Sequence, residues 1–249
     1  MIAPAPLPYA LTGPIAAHAL GLIVLQADEV IEQDFRRLFP DRAVAIYVTR
    51  IPSGADLTPE TLAAMEAALP SAAALLPPSV EFHAVAYACT SGATVIGATR
   101  CADLIRAASN TRAVTDPLSA TIAACARLGI TRIGLVSPYV AEVSGALRAA
   151  LEAAGIAIAA FASFEEREEA RVARIDPASI RDAALHVGTA RGVEGVFLSC
   201  TNLRTLDILG EAEAILRMPV LSSNQALAWR MASLAGIAPP AGPGRLLAR

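Results

Sequence analysis

Short apolar segments alternate with longer helical patterns along most of the 249-residue chain. Four of the apolar segments are nearly continuous runs, which is typical of strands buried on both faces of a sheet. The predicted strands are residues 21–26, 43–50, 81–88, 111–114, 132–137, 156–161, 195–199 and 219–222. The predicted helices are residues 30–39, 59–75, 93–108, 118–128, 140–154, 177–190, 205–216 and 225–235. Strands and helices that alternate in this way predict βαβ units, parallel sheets and an α/β fold.

The composition limits the classes of function. Hydrophobic residues make up 55% of the chain and charged residues 17%, which excludes a disordered protein. The net charge is −3 and no run of basic residues is present, so neither a nucleic acid nor a membrane surface is expected as a partner. The four cysteines form no CxxC pair and the three histidines stand far apart. We therefore predict no disulfide scaffold, no metal, no other cofactor and a cytoplasmic location.

The first residues carry almost no charge and need a separate interpretation. Residues 2–27 contain no charged side chain apart from His18 when it is protonated. A signal peptide begins with a basic region, which is absent here, and several prolines interrupt the apolar run. We predict an irregular arm over residues 1–18, with a cleaved or anchoring segment as the less favoured alternative.

Two parts of the sequence resemble each other. The segment YACTSGATVIG (87–97) is similar to LSCTNLRTLDI (198–208), and residues 115–130 are similar to residues 222–237 in the same order. The opening strand has a counterpart in IGLVSPY (133–139). We interpret these matches as two copies of one α/β unit, although chance similarity between alanine-rich helices is an alternative. The predicted lobes are residues 1–117 with 223–249, and residues 118–222, with the active site in the cleft between them.

Each copy places a Cys-Thr pair where a strand ends and a helix is predicted to begin. Ligands of parallel sheets bind beyond the carboxyl ends of the strands, so Cys89 and Cys200 are predicted to face one cleft. A helix N-terminus favours the thiolate over the thiol. Hydroxyl and backbone donors beside the thiols suit a substrate carboxylate. The predicted substrate-binding residues that follow the cysteines are Thr90, Ser91, Thr201 and Asn202.

Two thiols on opposite sides of a bound carboxylate predict chemistry without a cofactor. One thiolate removes the α-proton and the opposing thiol delivers a proton to the other face, which racemises the acid. Alternatively, one thiolate adds to an activated double bond. The competing interpretation is that these cysteines are core residues, and for Cys101 and Cys125, inside helical patterns, we prefer that interpretation.

These motifs resemble the aspartate/glutamate racemase superfamily, in its arylmalonate decarboxylase and maleate isomerase branch. The similarity extends over nearly the whole chain from Gly21 and is strongest in YACTSGATVIG, SPYVAEVS, RIDP, LSCTN and PVLSS. The resemblance implies two similar flavodoxin-like lobes related by a pseudo-two-fold axis, each with a four-stranded parallel sheet and helices on both faces. It also implies that the last helix, residues 225–235, returns to the first lobe.

The resemblance also implies roles for single residues. Cys89 and Cys200 match the two catalytic positions, and Thr90, Ser91 and Tyr139 match the groups that hold a substrate carboxylate. Arylmalonate decarboxylase lacks the first cysteine, so racemisation or isomerisation is favoured over decarboxylation.

The turn after the first strand departs from the maleate isomerase pattern. Asp28 stands where those enzymes carry an asparagine that contacts substrate, and a carboxylate there suits a substrate with an amino group. Ectoine-utilisation proteins are similar in this departure and in the CTNLRT and SSNQ stretches. They imply a diaminobutyrate-like substrate or its acetyl derivative.

Several alternatives stay open at this point. Asp28 is equally well explained as the N-cap of the helix near residue 30. The charged segment 164–174 is predicted to be a solvated helix or loop, or else a lid over the cleft. Arg174 is predicted to pair with Asp176 or Glu169 at the surface, and Arg204 to point away from the site. A small-carboxylate-binding protein without catalysis is the alternative from another functional class. The predicted partners are a small carboxylic acid and a second copy of the chain, in a homodimer or higher homo-oligomer.

Overall fold

A computed structural model describes residues 7–54 and 58–248 of the chain. The strands are β1 His18–Leu25, β2 Val44–Ile51, β3 Ala84–Ala88, β4 Val114–Thr115, β5 Arg132–Tyr139, β6 Ala157–Glu166, β7 Gly195–Leu198 and β8 Val220–Ser222. The helices are α1 Ile31–Leu38, α2 Pro59–Ala73, α3 Thr90–Ile96, α4 Ala98–Ala108, α5 Pro117–Leu128, α6 Ala141–Ala153, α7 Glu169–Val172, α8 Pro177–Gly188, α9 Leu209–Leu216 and α10 Ser223–Ala235.

The strands form two parallel sheets with the same topology. The strand orders are β2-β1-β3-β4 and β6-β5-β7-β8, with four strands in each sheet. The α/β fold with two similar lobes, predicted from the alternation and the repeat, is confirmed. Each predicted strand is present. Strands β3 and β7 are buried along their whole length, as their continuous apolar sequences require.

The last helix returns to the first sheet. Helix α10 begins directly after β8, yet it packs against β1 and β3 and against α5. Its position agrees with the return of residues 225–235 that the resemblance implies. The division into lobes at residues 117/118 and 222/223 stays a prediction.

Two predicted helices differ from the observed helices by more than two residues at an end. Residues 93–108 form two helices instead of one, because Gly97 takes a φ of 93° that ends α3. The helix predicted from residue 205 begins only at Leu209, and turns occupy the chain between β7 and α9.

Residues 7–17 of the predicted arm have no regular secondary structure, and residues 1–6 lie outside the described residues. In the part of the chain that the structure describes, no helix is both long and apolar enough to cross a membrane.

Candidate active site

Cys89 lies where β3 passes into α3. Its side chain is 4% exposed, and its Sγ accepts a hydrogen bond from the backbone N–H of Gly92 at 3.2 Å, which caps the helix. Tyr87 lies two residues earlier on the same face of the strand. Its hydroxyl is close enough to lower the pKa of the Cys89 thiol. Gly92 is required here, because a methyl group at this position would overlap the Tyr87 hydroxyl.

Cys200 is held by a turn and does not begin a helix. Its φ of 139° is unusual for a residue with a side chain. Two hydrogen bonds hold this conformation: the Cys200 N–H donates to Ser223 Oγ at 3.0 Å, and the Asn202 N–H donates to Cys200 Sγ at 3.2 Å. The prediction of a helix N-terminus at this thiol was wrong, since α9 starts nine residues later at Leu209.

The two cysteine motifs meet through three hydrogen bonds. Thr90 Oγ1 lies 2.9 Å from Ser223 Oγ, which itself accepts from the Cys200 N–H. In the other direction, Thr201 Oγ1 donates to the carbonyl of Ala88 at 3.3 Å. The neighbours of one cysteine are therefore bonded to the neighbours of the other, across the ends of two different sheets.

A buried carboxyl group lies beside Cys200. The Tyr139 hydroxyl at the end of β5 is 2.7 Å from Cys200 Sγ and donates to Glu169 Oε2 at 3.1 Å. The Asn202 amide donates to Glu169 Oε1 and to the Glu169 carbonyl, at 3.0 and 3.1 Å. Glu169 is 2% exposed, although it belongs to the charged segment 164–174. The prediction that this segment is solvated throughout was wrong for Glu169.

This arrangement limits what Tyr139 and Asn202 can bind. The single Tyr139 proton is directed at Glu169, and both Asn202 amide contacts go to the same residue. The Asn202 oxygen accepts from the N–H of Glu29 at 2.9 Å. A substrate carboxylate reaches these two predicted binding groups only if it displaces Glu169.

Asp28 combines a structural contact with an unused oxygen. Its Oδ1 accepts from the N–H groups of Val30 and Ile31 at 2.8 and 2.9 Å, so the alternative interpretation as a cap is correct. Its Oδ2 is buried and makes no hydrogen bond of good geometry within the described residues. Burial raises the pKa of Asp28 above its ordinary value, although the hydrogen bond from the Ile31 N–H opposes this shift.

Thr90 and Ser91 are buried in the first turn of α3. The Thr90 hydroxyl is engaged with Ser223, as described above, whereas the Ser91 hydroxyl bonds to no residue that the structure describes. Of the predicted substrate-binding residues, Ser91 and Asp28 therefore retain polar atoms for a ligand.

Burial controls the protonation of the site. It raises the pKa of the Cys89 thiol to about 12 and that of Cys200 well above its usual value, and the carboxylates of Glu169 and Asp28 raise both further. The predicted preference for thiolate is absent here, because desolvation outweighs the favourable N–H contacts. Burial also raises the pKa of Glu169 to about 7.

The outer part of the cleft is open. A cavity of about 520 Å³ is lined by residues that include Glu29, Arg174 and Arg204, and neither thiol lines it. Arg174 forms a surface ion pair with Glu29 at 2.8 Å, and not with Asp176 or Glu169. Both thiols are buried, so a substrate reaches them only when the structure around them opens.

Four residues of this site were not predicted from the sequence. The position of Tyr87 could have been predicted, because it lies two residues before Cys89 and alternate residues of a strand share a face. Glu169, Ser223 and Asn224 had no local signal, since their burial depends on partners distant in the sequence. Asn224 donates to the Thr201 carbonyl and to Asp34, each at 2.8 Å, and so holds the turn after Cys200.

Comparisons with known proteins show similarity over almost the whole chain. The family model described as arylmalonate decarboxylase matches residues 20–247. A curated arylmalonate decarboxylase from Bordetella bronchiseptica is 33% identical over 118 residues, 47% of this chain and 49% of that protein. The match thus spans about half the length of this relative.

Solved structures extend the similarity. A liganded double mutant of arylmalonate decarboxylase has a TM-score of 0.83 and 28% identity, over 92% of this chain and 98% of that one. Maleate isomerase from Pseudomonas putida S16 has a TM-score of 0.82 and 21% identity, with the same coverage. A Nocardia farcinica maleate cis-trans isomerase mutant with a covalently bound succinylcysteine intermediate has a TM-score of 0.81 and 23% identity, again over 92% and 98%. At these identities, the two isomerases show a common fold.

Proposed function

The chain belongs to the arylmalonate decarboxylase family, in the aspartate/glutamate racemase superfamily, and we propose that it is a cofactor-independent racemase or isomerase of a small carboxylic acid. The observation that carries this proposal is the bonded junction of the two cysteine motifs. Ser223 connects Thr90 with the backbone of Cys200, and Thr201 contacts Ala88, so both thiols belong to one buried cluster.

The proposed reaction uses one thiol on each side of the substrate. One thiolate takes the α-proton, the electron pair moves into the carboxylate as an enediolate, and the opposing thiol protonates the other face. Ser91 is proposed to hold the carboxylate. Thr90 and Thr201 are proposed to join it when their hydroxyl groups exchange Ser223 and Ala88 for the substrate. Asn202 joins them when its amide group releases Glu169, whereas Tyr139 stays hydrogen-bonded to Glu169.

Thiolate addition to a double bond is the second route in the same site. A cysteine adds to one alkene carbon, rotation follows about the resulting single bond, and elimination releases the trans isomer and the thiolate. The succinylcysteine of the Nocardia farcinica maleate isomerase mutant supports this route for that relative.

Asp28 supports an amino acid as the substrate. Its buried Oδ2 has no hydrogen-bond partner of good geometry in the described residues, and a substrate ammonium group would supply one. A diaminobutyrate-like acid, as in ectoine degradation, fits this requirement. A cytoplasmic location and a homo-oligomer remain predictions, supported respectively by four free cysteines and by alanine-rich helices.

Decarboxylation of an arylmalonate is the second candidate, favoured by the matching family model and the curated relative. The test is incubation in deuterated water with 2,4-diaminobutyrate, aspartate, maleate and phenylmalonate. We expect α-deuterium incorporation or cis-trans conversion that is lost in Cys89→Ala and in Cys200→Ala. Turnover of phenylmalonate alone would instead support the decarboxylase, and binding without turnover would support the non-catalytic alternative. Exchange that survives both substitutions would refute the two-thiol mechanism.

A further inference from the structure

The surroundings of the two thiols differ in one respect. Cys200 is 2.7 Å from the Tyr139 hydroxyl, which donates to Glu169 at 3.1 Å, so the thiol, the phenol and the carboxyl group form a continuous chain. Cys89 also has a tyrosine beside it, but the Tyr87 hydroxyl donates to the sulfur of Met65 at 3.2 Å. Within the described residues, no carboxyl group continues the chain from Tyr87.

The hydrogen bonds of this chain have one consistent direction. A tyrosine hydroxyl has one proton, and Tyr139 directs it to Glu169. Either atom of the Tyr139–Cys200 contact can be the donor. While Glu169 is ionised and accepts the Tyr139 proton, the thiol is the donor and the phenol oxygen is the acceptor. Each group already points its proton toward Glu169.

Glu169 is positioned to accept a proton. The Asn202 amide holds Oε1, while Oε2 receives the Tyr139 hydroxyl. The charged or titratable groups that face Glu169 are Asp28 from the β1–α1 loop, Tyr139 from β5 and the thiols of Cys89 and Cys200. Burial and the nearby Asp28 carboxylate together raise the pKa of Glu169 to about 7. No cation among the described residues lowers this pKa. Glu169 thus changes charge near neutral pH.

We propose that Glu169 receives the proton of Cys200 through Tyr139, so that Cys200 becomes the base of the reaction and Cys89 remains the acid. The step transfers the Cys200 S–H proton to the Tyr139 oxygen while the Tyr139 proton passes to Glu169. The product is a thiolate beside a neutral carboxylic acid, and the net charge of the site is unchanged. The raised thiol pKa then falls, because the carboxylate that opposed ionisation has been neutralised.

This inference rests on the proposed function, and Glu169 acts through Tyr139 as a positioning residue. The test compares Glu169→Gln and Tyr139→Phe with Glu168→Gln, an exposed neighbour that undergoes the same change of charge. The readouts are kcat and KM for α-deuterium exchange as a function of pH, with thermal unfolding to check the fold. The probe is whichever of 2,4-diaminobutyrate and aspartate reacts faster with the wild-type protein.

We expect Glu169→Gln and Tyr139→Phe to lower kcat by about 100-fold with little change in KM. In the wild type, kcat rises as Glu169 ionises near pH 7, and this rise disappears in Glu169→Gln. A wild-type pH profile in Glu169→Gln, or a loss confined to KM, overturns the relay. If exchange requires both cysteines but not Glu169, the relay alone fails; if it requires neither cysteine, the proposed function fails first.

Discussion

Thr201 donates a hydrogen bond from its side chain to the backbone carbonyl of Ala88, over 3.3 Å. Thr201 follows Cys200 and Ala88 precedes Cys89, so the contact joins residues next to the cysteines of the two repeated motifs. Because β3 and β7 belong to different sheets, no local interaction brings these residues together. The contact fixes how the two halves of the site lie against each other.

Ser223 is the second connection between the halves, and its removal has a defined cost. In Ser223→Ala, the Cys200 N–H loses its acceptor and Thr90 loses its partner in a buried region. We expect a loss of about 1–3 kcal/mol in the free energy of unfolding, because buried polar groups are left unsatisfied. The measurement is urea unfolding, with the exposed Ser233→Ala on the same helix as the control. Equal stability of the two variants would show that the hydrogen bonds of Ser223 contribute nothing to the free energy of unfolding.

The pH dependence of stability follows from Glu169. Its folded-state pKa of about 7 is above its ordinary value of 4.5, so between these values the folded protein binds more protons than the unfolded chain. Stability due to this group is therefore present below pH ~4.5 and is lost as the pH rises through ~7. The loss is on the order of 3 kcal/mol.

Thermal unfolding of Glu169→Gln between these pH values tests this assignment. The variant lacks the titrating group, so its unfolding temperature will depend less on pH than that of the wild type. A weaker pH dependence of the same sign will remain in this variant, because burial raises the pKa of Asp34 to about 6. Glu168→Gln is the control. An unchanged slope in Glu169→Gln would assign the dependence to other groups.

The labelling of cysteines reports how the site opens. The thiolate preference predicted from the sequence would make Cys89 and Cys200 react with iodoacetamide faster than Cys101 and Cys125. In the structure, however, all four cysteines are buried and free. Burial raises the pKa of Cys101 to about 12 and that of Cys125 to about 11, close to the value for Cys89. We expect slow labelling of all four thiols in the protein without substrate, since only thiolates react and each thiol is enclosed.

Arg174→Ala removes the ion pair with Glu29 beside the outer cavity. Because both side chains are substantially exposed, the ion pair stabilises the closed site by at most about 1 kcal/mol. We therefore expect Arg174→Ala to accelerate the labelling of Cys89 and Cys200, by up to about fivefold. Arg171→Ala, which breaks a pair with Glu166 within the same segment, is the control. Mass spectrometry of each cysteine peptide measures the rates. Identical rates in both variants would place the opening motion elsewhere.

The sequence was sufficient for the fold and for the meeting of the two cysteine motifs. Continuous apolar runs such as residues 195–199 identify buried strands, and carboxyl ends of parallel strands are where ligands bind. The repeated Cys-Thr pair supplied the rest, since equivalent positions in two copies of a fold lie at equivalent ends of their sheets.

The detailed chemistry of the site was beyond the sequence. Glu169 lies in a strongly charged segment, which locally indicates a solvated surface, and it is buried only because Tyr139 and Asn202 approach from other elements. The turn at Cys200 likewise depends on Ser223, which is 23 residues away. Thiol pKa values were mispredicted for the same reason: desolvation is a property of the packed structure.

Asp28 provides a test of the substrate class. Asp28→Asn retains Oδ1 as the acceptor for Val30 and Ile31 but removes the charge and the free carboxylate oxygen. If a substrate ammonium group binds Oδ2, the affinity for 2,4-diaminobutyrate falls by about 30-fold or more, because a buried charge loses its partner. The affinity for maleate, a dianion, rises in the same variant because one repulsive carboxylate has gone. Calorimetric titration of both ligands measures the two affinities.

Asp41→Asn is the control, since Asp41 also accepts a backbone hydrogen bond but lies at the exposed end of the sheet. A parallel loss of both affinities in Asp28→Asn would mean that Asp28 serves the cap alone, and the amino acid would no longer be the favoured substrate.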